Sequence, residues 1–326
     1  MDIRLWELLV SAAAAFLTTL LLGRPVIRWL RRSFRERIAS DSKRLDELHA
    51  SKRGTPTMGG VLMTVGVIVG MLVCPSASVT WSMRWQVVLC VLSFSVLGAC
   101  DDYVKAVTGR KGLTVRQKLT WQLLLGGLFG CWLEWTAAAE RGGLFRGVWE
   151  WIPGVIWTTL WIAGGSNAVN LTDGLDGLAA GIVIVCGTGM AFVIGSQVTG
   201  SEWCVVPAIL AGVSAGFLWY NRHPARVFMG DTGALSLGAV LGLAGVGAGV
   251  EWATVGCGLV FVLEVLSVVL QVGWYRWTRR RILLCSPLHN HFVFAGVPEK
   301  RIVSGFWMLA ALGVVVTGVL VVWQRA

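Results

Sequence analysis

The membrane character of the chain is clearest in residues 170–196, which read NLTDGLDG and then LAAGIVIVCGTGMAFVIGS. The second part contains no charged residue, and a helix of about 20 apolar residues spans the hydrocarbon core of a bilayer. Similar runs recur through the 326 residues, which are 55% hydrophobic and 14% charged, whereas soluble proteins carry about 25% charged residues. This composition excludes an ordinary soluble domain or a disordered chain, and it predicts an all-α, polytopic integral membrane protein.

Hydropathy predicts ten membrane spans, with Gly, Pro and charged residues marking their ends. The spans are 5–23, 58–74, 85–100, 119–137, 152–170, 178–196, 203–220, 232–250, 253–273 and 303–323. Ten spans place both termini on one side of the membrane and five loops on the other. These loops are 24–57, 101–118, 171–177, 221–231 and 274–302. We therefore expect residues 1–326 to form a single transmembrane domain.

The distribution of basic residues orients this domain. The five loops contain 23 of the 28 Lys and Arg residues, and basic residues accumulate in cytoplasmic loops. The loops are therefore predicted to be cytoplasmic and both termini to lie outside. The net charge of +10 then reflects membrane topology, and we do not predict nucleic-acid binding.

The cysteines and the first residues indicate neither a disulfide or zinc framework nor a cleaved signal peptide. None of the eight cysteines forms a CxxC pair, and nearly all lie inside apolar runs, so neither a disulfide framework nor a zinc site is predicted. The first apolar run follows Asp2, Arg4 and Glu7 rather than a basic cluster. We therefore predict that the first span is retained rather than cleaved as a signal peptide.

Five carboxylates lie at the cytoplasmic ends of predicted spans. They are Asp101, Asp102, Asp173, Asp176 and Asp231. Carboxylates near hydrocarbon are costly unless they are paired or bind a cation, and an all-oxygen ligand set favours Mg²⁺ or Mn²⁺ over zinc. For Asp101 and Asp102 alone, helix-end solubility with Lys105 as an ion-pair partner is the simpler alternative. Five clustered carboxylates favour a metal site.

The segment after the fifth span carries polar residues at a spacing of three: Asn167, Asn170, Asp173 and Asp176. They share one face if the helix continues, whereas Gly174 and Gly177 favour a turn equally well. Either arrangement offers amide donors and carboxylate acceptors suited to a base edge or to sugar hydroxyls. Helix capping is the alternative role for these side chains.

The sequence FMGDTG at 228–233 predicts a helix start with Asp231 or Thr232 as the N-cap. The free N–H groups of such a helix start favour a phosphate, and Phe228 is either a hydrophobic staple or a stacking platform. A site that binds phosphate also needs basic residues, and six lie in adjacent loops: Lys52, Arg53, Lys105, Lys111, Arg116 and Lys118. Many of these six must serve membrane topology alone. No GxxxxGK[ST] run occurs, so a P-loop enzyme is not predicted.

Two histidines in PLHNHF at 287–292 complete the polar residues of the cytoplasmic side. Because His289 and His291 are two positions apart, their side chains diverge on a strand or a helix. They therefore make a poor metal pair, and contact with a phosphate or a hydroxyl is the better prediction.

Five motifs occur together in this order: GTPTMGG at 54–60, DDYVK at 101–105, NLTDGLDGLAAG at 170–181, FMGDTG at 228–233 and PLHNHF at 287–292. Over essentially its whole length the chain resembles the polyprenyl-phosphate N-acetylhexosamine-1-phosphate transferase family. The resemblance implies ten membrane helices, a Mg²⁺-dependent site on the cytoplasmic face of the bacterial inner membrane, and a homodimer. The implied reaction moves phospho-MurNAc-pentapeptide from UDP-MurNAc-pentapeptide to undecaprenyl phosphate, which gives lipid I and UMP.

The resemblance also assigns roles to residues. Asp231 would bind Mg²⁺, and Asp101 and Asp102 would be catalytic carboxylates near the lipid phosphate, with His289 and His291 as further catalytic residues. The substrate-binding residues would be Lys52, Thr57, Asn170, Asp173, Asp176 and Phe228. The sequence departs from the family at Asn290, where the family usually has the middle one of three histidines.

Three alternatives remain open from sequence. The reaction can be a direct attack by the lipid phosphate, which is already largely dianionic at pH 7 and is our preference, or it can pass through an aspartyl-phosphate. A sister enzyme would use UDP-GlcNAc with the same metal site. An ion-coupled transporter would place its carboxylates near the bilayer midplane, whereas the polar groups here gather at one surface, with Glu134 and Glu264 as carboxylates inside predicted spans.

The isoprenoid tail of the acceptor must stay in hydrocarbon, because exposing it costs about 0.8 kcal/mol per CH₂. We therefore expect an apolar groove open to lipid, with its cytoplasmic end at Asp101 and Asp102. Residues 260–272 of the ninth span are a candidate wall, and the basic run Arg279–Arg281 follows where lipid phosphates lie. Positive-inside anchoring explains that run equally well.

Overall fold

The computed structural model describes residues 4–33, 52, 54–108, 112–140, 148–197 and 201–324. Its regular elements are helices, which we number α1–α12 in chain order, with a 3₁₀ turn at Ser201–Cys204 before α7. The helices are α1 Leu5–Ser33, α2 Gly60–Val73, α3 Trp81–Thr108, α4 Val115–Glu140, α5 Val148–Thr172, α6 Leu178–Gly195, α7 Val205–Asn221, α8 Gly230–Gly247, α9 Glu251–Cys257, α10 Leu259–Thr278, α11 Leu288–Phe294 and α12 Glu299–Trp323.

These helices confirm the predicted all-α, polytopic class. Seven of them are long and apolar enough to cross a membrane, and α2 is a shorter apolar helix of 14 residues. The helices α4 and α5 have 26 and 25 residues and cover the fourth and fifth predicted spans. The number ten itself stays a prediction.

The helix bounds differ from the predicted spans at three places, while the membrane boundaries themselves stay predictions. The predicted loop 101–118 begins as helix, because α3 continues to Thr108 and carries Asp101, Asp102 and Lys105 in its last turns. The predicted ninth span, 253–273, is interrupted at Gly258, where α9 ends and α10 begins. In the first case the charged residues find partners across the bundle, so charge alone does not end the helix.

The first predicted loop, 24–57, is likewise helical at its start. The helix α1 passes Pro25 and ends at Ser33. Residues 34–51 and Arg53 lie outside the described part of the chain, so half of the ten basic residues of this loop are not placed.

The helix α8 is the centre of the bundle and the most buried of the seven candidate spans. It packs against α3 and α5 through glycines that let the backbones approach closely. A Cβ atom at Gly98 of α3 would collide with the backbone of Asp231, and one at Gly165 of α5 would meet the carbonyl oxygen of Gly238. These contacts bring the start of α8 against the end of α3.

The ends of α3, α5 and α7 and the start of α8 lie on one face of the bundle, which we call the polar face. The helices α1 and α7 run parallel, because Gly212 packs on Ala12 while the Tyr220 hydroxyl donates to the carbonyl oxygen of Leu20 at 2.7 Å. The helix α12 begins at the polar face with Glu299. Consequently α1 begins, and α12 ends, on the opposite face.

Candidate active site

Three aspartates from two helices meet at the polar face. Asp101 and Asp102 come from the end of α3 and Asp231 from the first turn of α8. All three are buried, and one carboxylate oxygen of each lies within 4.8 Å of the others. We call this group the aspartate cluster.

Two lysines neutralise most of the charge of the aspartate cluster. Lys105 Nζ lies 2.6 Å from Asp101 Oδ2 and 3.0 Å from Asp231 Oδ1. Lys118 Nζ contacts Asp231 Oδ2 and lies 3.4 Å from Asp101 Oδ1. The pairing of Lys105 with Asp101 considered from sequence is therefore present, but the same ammonium also binds Asp231. Three carboxylates and two ammonium groups leave the cluster one negative charge in excess.

Asp102 caps the helix that carries Asp231. Its Oδ1 accepts the N–H of Asp231 at 3.1 Å, and its Oδ2 accepts the N–H of Thr232 at 3.0 Å and the Thr232 hydroxyl at 2.7 Å. The predicted N-cap, Asp231 or Thr232, was wrong: the N-cap position is Met229, and its side chain makes no capping bond. Two N–H groups that we expected to be open to a phosphate are thus bound to a carboxylate, which a helix N-terminus attracts equally well.

Asn170 connects α5 to the same cluster. Its Nδ2 donates to Asp231 Oδ1 at 3.0 Å, so this predicted binding residue lies beside the metal candidate. Asp101 also accepts the N–H of Leu113 at 2.7 Å, which holds the segment between α3 and α4 against the cluster.

The donor set of the aspartate cluster fits a divalent cation. Its ligand atoms are carboxylate oxygens, which Mg²⁺ prefers. The two lysine ammonium groups beside these oxygens show that the carboxylates stabilise positive charge at this place. Asp231 and Asp101 lie closest to these ammonium groups, whereas both oxygens of Asp102 accept hydrogen bonds from the start of α8 and its Oδ1 lies 4.0 Å from Lys105 Nζ. Asp231, with Asp101, is therefore the better candidate ligand.

A second charged group surrounds Lys52 on the same face. Lys52 Nζ lies 2.8 Å from Asp176 Oδ1 and 2.6 Å from Glu299 Oε1. The other oxygen of Asp176, Oδ2, lies 3.0 Å from His223 Nδ1 and accepts the N–H of Ala225 at 3.1 Å. We call Lys52, Asp176, His223 and Glu299 the Lys52 cluster.

The turn after α5 explains how Asp176 reaches Lys52. The helix α5 ends at Thr172, and Gly177 adopts a φ of 76° before α6 begins, so the turn alternative is confirmed and the continuous helical face is not. Asp173 lies at the start of this turn, where its N–H donates to the carbonyl oxygen of Val169 at 3.1 Å. Asn170 and Asp176 therefore serve different clusters.

Backbone pairing joins the GTPTMGG and FMGDTG motifs. The N–H of Phe228 donates to the carbonyl oxygen of Pro56 at 2.8 Å, and the N–H of Gly59 donates to the carbonyl oxygen of Phe228 at 2.9 Å. Thr57 is buried in this segment, and its hydroxyl lies against Gly230. Phe228 is half-buried, beside the start of α8.

The two histidines of the last loop have different surroundings. His289 is buried against Gly174. Its backbone N–H donates to Glu264 Oε1 at 3.1 Å, and its ring Nδ1 lies 3.2 Å from the same oxygen. His291 is half-buried and accepts the N–H of Leu284 at 3.1 Å. The carboxylate of Glu264, which a transporter would use for ions, is thus engaged by α11.

Sequence reasoning missed two residues of the site and assigned no specific role to a third. Lys118 was considered only as one of several loop cations, and His223 and Glu299 were not singled out. Glu299 had a usable signal, since an acidic residue directly after Pro298 is typical of a helix start, and the start of the last span was predicted to be cytoplasmic. His223 had no comparable signal.

Carboxylates and lysines gathered at one face of an all-helical bundle form a site suited to binding phosphate groups and a divalent cation. Consistent with such a site, residues 84–249 match the model of glycosyl transferase family 4, and residues 52–62 match a phospho-N-acetylmuramoyl-pentapeptide-transferase signature.

Relatives of the same description cover nearly the whole chain. A phospho-N-acetylmuramoyl-pentapeptide-transferase of Moorella thermoacetica is 42% identical over 94% of this chain and 96% of its own length. Proteins of the same name from Geobacter sp. strain M21 and Chlamydia trachomatis are 40% and 38% identical, covering 91% and 94% of this chain and 89% and 94% of their own lengths. The chain belongs to the phospho-N-acetylmuramoyl-pentapeptide-transferase family.

Proposed function

We propose that the protein transfers phospho-MurNAc-pentapeptide from UDP-MurNAc-pentapeptide to undecaprenyl phosphate in peptidoglycan synthesis, giving lipid I and UMP. The observation that carries this proposal is the aspartate cluster beside the paired GTPTMGG and FMGDTG motifs. An oxygen of the lipid phosphate forms a bond to the sugar-linked phosphorus of the donor. The bond from that phosphorus to the bridging oxygen breaks, and UMP leaves with the electron pair.

The aspartate cluster is proposed to hold Mg²⁺ through Asp231, with Asp101 beside it. When bound, the ion would stabilise negative charge on the diphosphate and on the leaving UMP. Lys105 and Lys118 supply further positive charge at the same place, because each of them contacts Asp231. Asn170 orients the Asp231 carboxylate through its amide.

Asp101 and Asp102 contribute in different ways. Asp101 contacts both lysines, so it sets the position of the ammonium groups that face the reacting phosphates. Asp102 fixes the start of α8 through three hydrogen bonds, and it thereby positions Asp231. Phosphoryl transfer needs positioning and charge neutralisation more than covalent help, so we favour direct attack over an aspartyl-phosphate.

The Lys52 cluster is proposed to bind the uridine nucleotide together with Thr57, Asp173 and Phe228. An ammonium group and a half-buried aromatic ring suit a phosphate and a base. His289 lies against Gly174 of the adjoining turn, so we propose that it supports that turn, and that His291 contacts substrate from the more exposed position.

The acceptor tail has a suitable apolar cavity. A cavity of about 420 Å³ lies between α5, α8 and α10 and is lined by Trp161, Val169, Leu241, Phe261, Val265 and Leu266. Val169 precedes Asn170, which binds Asp231, so the cavity reaches towards the aspartate cluster. We propose that it holds the part of the isoprenoid chain nearest the phosphate, with α10 as the wall predicted from sequence.

The membrane arrangement follows from the same chemistry. We propose that the chain is one transmembrane domain of the bacterial inner membrane with ten spans, that the polar face is cytoplasmic, and that both termini lie outside. The excess of basic residues in the loops of this face supports the orientation. A homodimer is proposed from the family resemblance alone.

Purified protein in detergent tests the activity directly. Incubated with Mg²⁺, undecaprenyl phosphate and radiolabelled UDP-MurNAc-pentapeptide, it should form a lipid-soluble labelled product and UMP, and it should exchange labelled UMP into the donor. UDP-GlcNAc is the control for the sister enzyme. Conversion of UDP-GlcNAc in preference to UDP-MurNAc-pentapeptide, or the absence of UMP exchange, would contradict the proposal.

A further inference from the structure

Glu299, the first residue of α12, joins the separate segments of the Lys52 cluster. Its Oε1 lies 2.6 Å from Lys52 Nζ and accepts the backbone N–H of Asp176 at 2.7 Å. One carboxylate oxygen therefore connects the segment before α2, the turn after α5 and the start of α12.

Among the residues that the structure describes, the contacts of Lys52 leave at least one donor for a ligand. Its ammonium has three N–H donors, and the two described acceptors beside it are Glu299 Oε1 and Asp176 Oδ1, at 2.6 and 2.8 Å. The side chains of Lys52 and Glu299 are 13% and 19% exposed, whereas that of Asp176 is 3% exposed. His223 is the most exposed member, at 39%, so the cluster is open on the side of His223, Glu299 and Lys52.

Charge balance alone does not require Glu299. The carboxylate of Asp176 already neutralises Lys52, and its second oxygen is held by His223 and the N–H of Ala225. A lysine side chain has many rotamers, and ordering it in advance reduces the entropy lost on binding. What Glu299 adds is the direction of the ammonium group.

We propose that Glu299 is a positioning residue for nucleotide-sugar binding: anchored by the backbone N–H of Asp176, its carboxylate holds the Lys52 ammonium so that a remaining N–H of Lys52 faces the uridine nucleotide. This inference rests on the proposed function, because it takes Lys52 and Asp176 as nucleotide-binding residues.

Steady-state kinetics of Glu299→Ala and Glu299→Gln test the role. Glu299→Ala should raise KM for UDP-MurNAc-pentapeptide about tenfold, with kcat and KM for undecaprenyl phosphate within about threefold of wild type. Glu299→Gln keeps an acceptor oxygen, so its KM for the donor should stay within about threefold of wild type. A fall in kcat with unchanged KM, or an equal rise of both KM values, would overturn the proposal.

A double-mutant cycle separates positioning from a general structural role. In a Lys52→Ala background, Glu299→Ala should change KM for the donor by less than about twofold, because the side chain it positions is absent. A further tenfold rise there would overturn the proposal. Glu7→Gln is the matched control, since Glu7 accepts the Arg4 backbone N–H at 2.9 Å at the start of α1 on the opposite face, and it should leave both KM values unchanged.

Further measurements distinguish failure of this inference from failure of the proposed function. If Glu299→Ala does not fold, as judged by its Tm in detergent, Glu299→Asp replaces it; its shorter side chain should still raise KM for the donor, and an unchanged KM would overturn the proposal. A wild-type protein that does not convert UDP-MurNAc-pentapeptide defeats the proposed function. Wild-type turnover with an unchanged KM in Glu299→Ala defeats this inference alone.

Discussion

The aspartate cluster and the Lys52 cluster lie on the same face but are built differently. The aspartate cluster comes from two closely packed helices, and glycine contacts between α3 and α8 leave its carboxylates little freedom. The Lys52 cluster joins a loop segment, a turn and a helix start, and it is more exposed. A rigid buried cluster suits phosphoryl transfer, whereas an open cluster assembled from loops suits recognition of a substrate that must enter and leave.

The largest effect should follow from Asp231→Asn. The substitution keeps the shape of the side chain but removes the charge that Lys105 and Lys118 contact and that the proposed Mg²⁺ requires. Lipid I formation should fall about 10²–10³-fold, with Tm in detergent close to wild type. Near-normal turnover at ordinary Mg²⁺ concentration would show that the aspartate cluster does not take part in phosphoryl transfer, and it would contradict the proposed difference between the two clusters.

A smaller loss of turnover is expected from substitutions of His289, Asn290 and His291 in α11. His289 is buried between Gly174 and Glu264, so His289→Ala should reduce turnover about 10–100-fold, and His291→Ala should reduce it less. Asn290→Ala should be the mildest of the three, because the chain already lacks the family's middle histidine. Rates of lipid I formation for the three variants check this order, and an Asn290→Ala variant that is the worst of them would overturn it.

Asp102→Asn should reduce turnover less than Asp231→Asn does. An asparagine amide group would face one of the N–H donors at the start of α8, which costs about 1–3 kcal/mol of stability and displaces Asp231. We expect a lower Tm and a turnover reduced about tenfold, with affinity for the nucleotide sugar retained. If donor affinity and turnover fall equally, Asp102 belongs to nucleotide binding rather than to the chemistry.

Local sequence predicted the members of the aspartate cluster better than their arrangement. Apolar runs and the DDYVK and FMGDTG motifs located Asp101, Asp102 and Asp231. The capping of α8 by Asp102 depends on a contact between residues 129 positions apart, which spacing along the chain does not reveal. The interruption at Gly258 also escaped prediction, because a glycine within an apolar run is compatible with a continuous helix.

The Lys52 cluster was predicted only in part for the same reason. Lys52 and Asp176 lie in motifs, but Lys52 and Glu299 are separated by 247 positions and meet only when α12 packs beside α6. His223 lies in a short loop whose local sequence gives no sign of contact with Asp176. Residues that act through long-range contacts thus required the fold.

The affinity of the protein for UMP tests the division between the two clusters most directly. It can be measured by calorimetry without Mg²⁺ on detergent-purified wild type, Asp231→Asn and Lys52→Ala, with Glu7→Gln as the control. We expect Asp231→Asn to bind UMP within about threefold of wild type and Lys52→Ala to bind it about tenfold more weakly. Equal weakening of UMP binding in Asp231→Asn and Lys52→Ala would contradict the account.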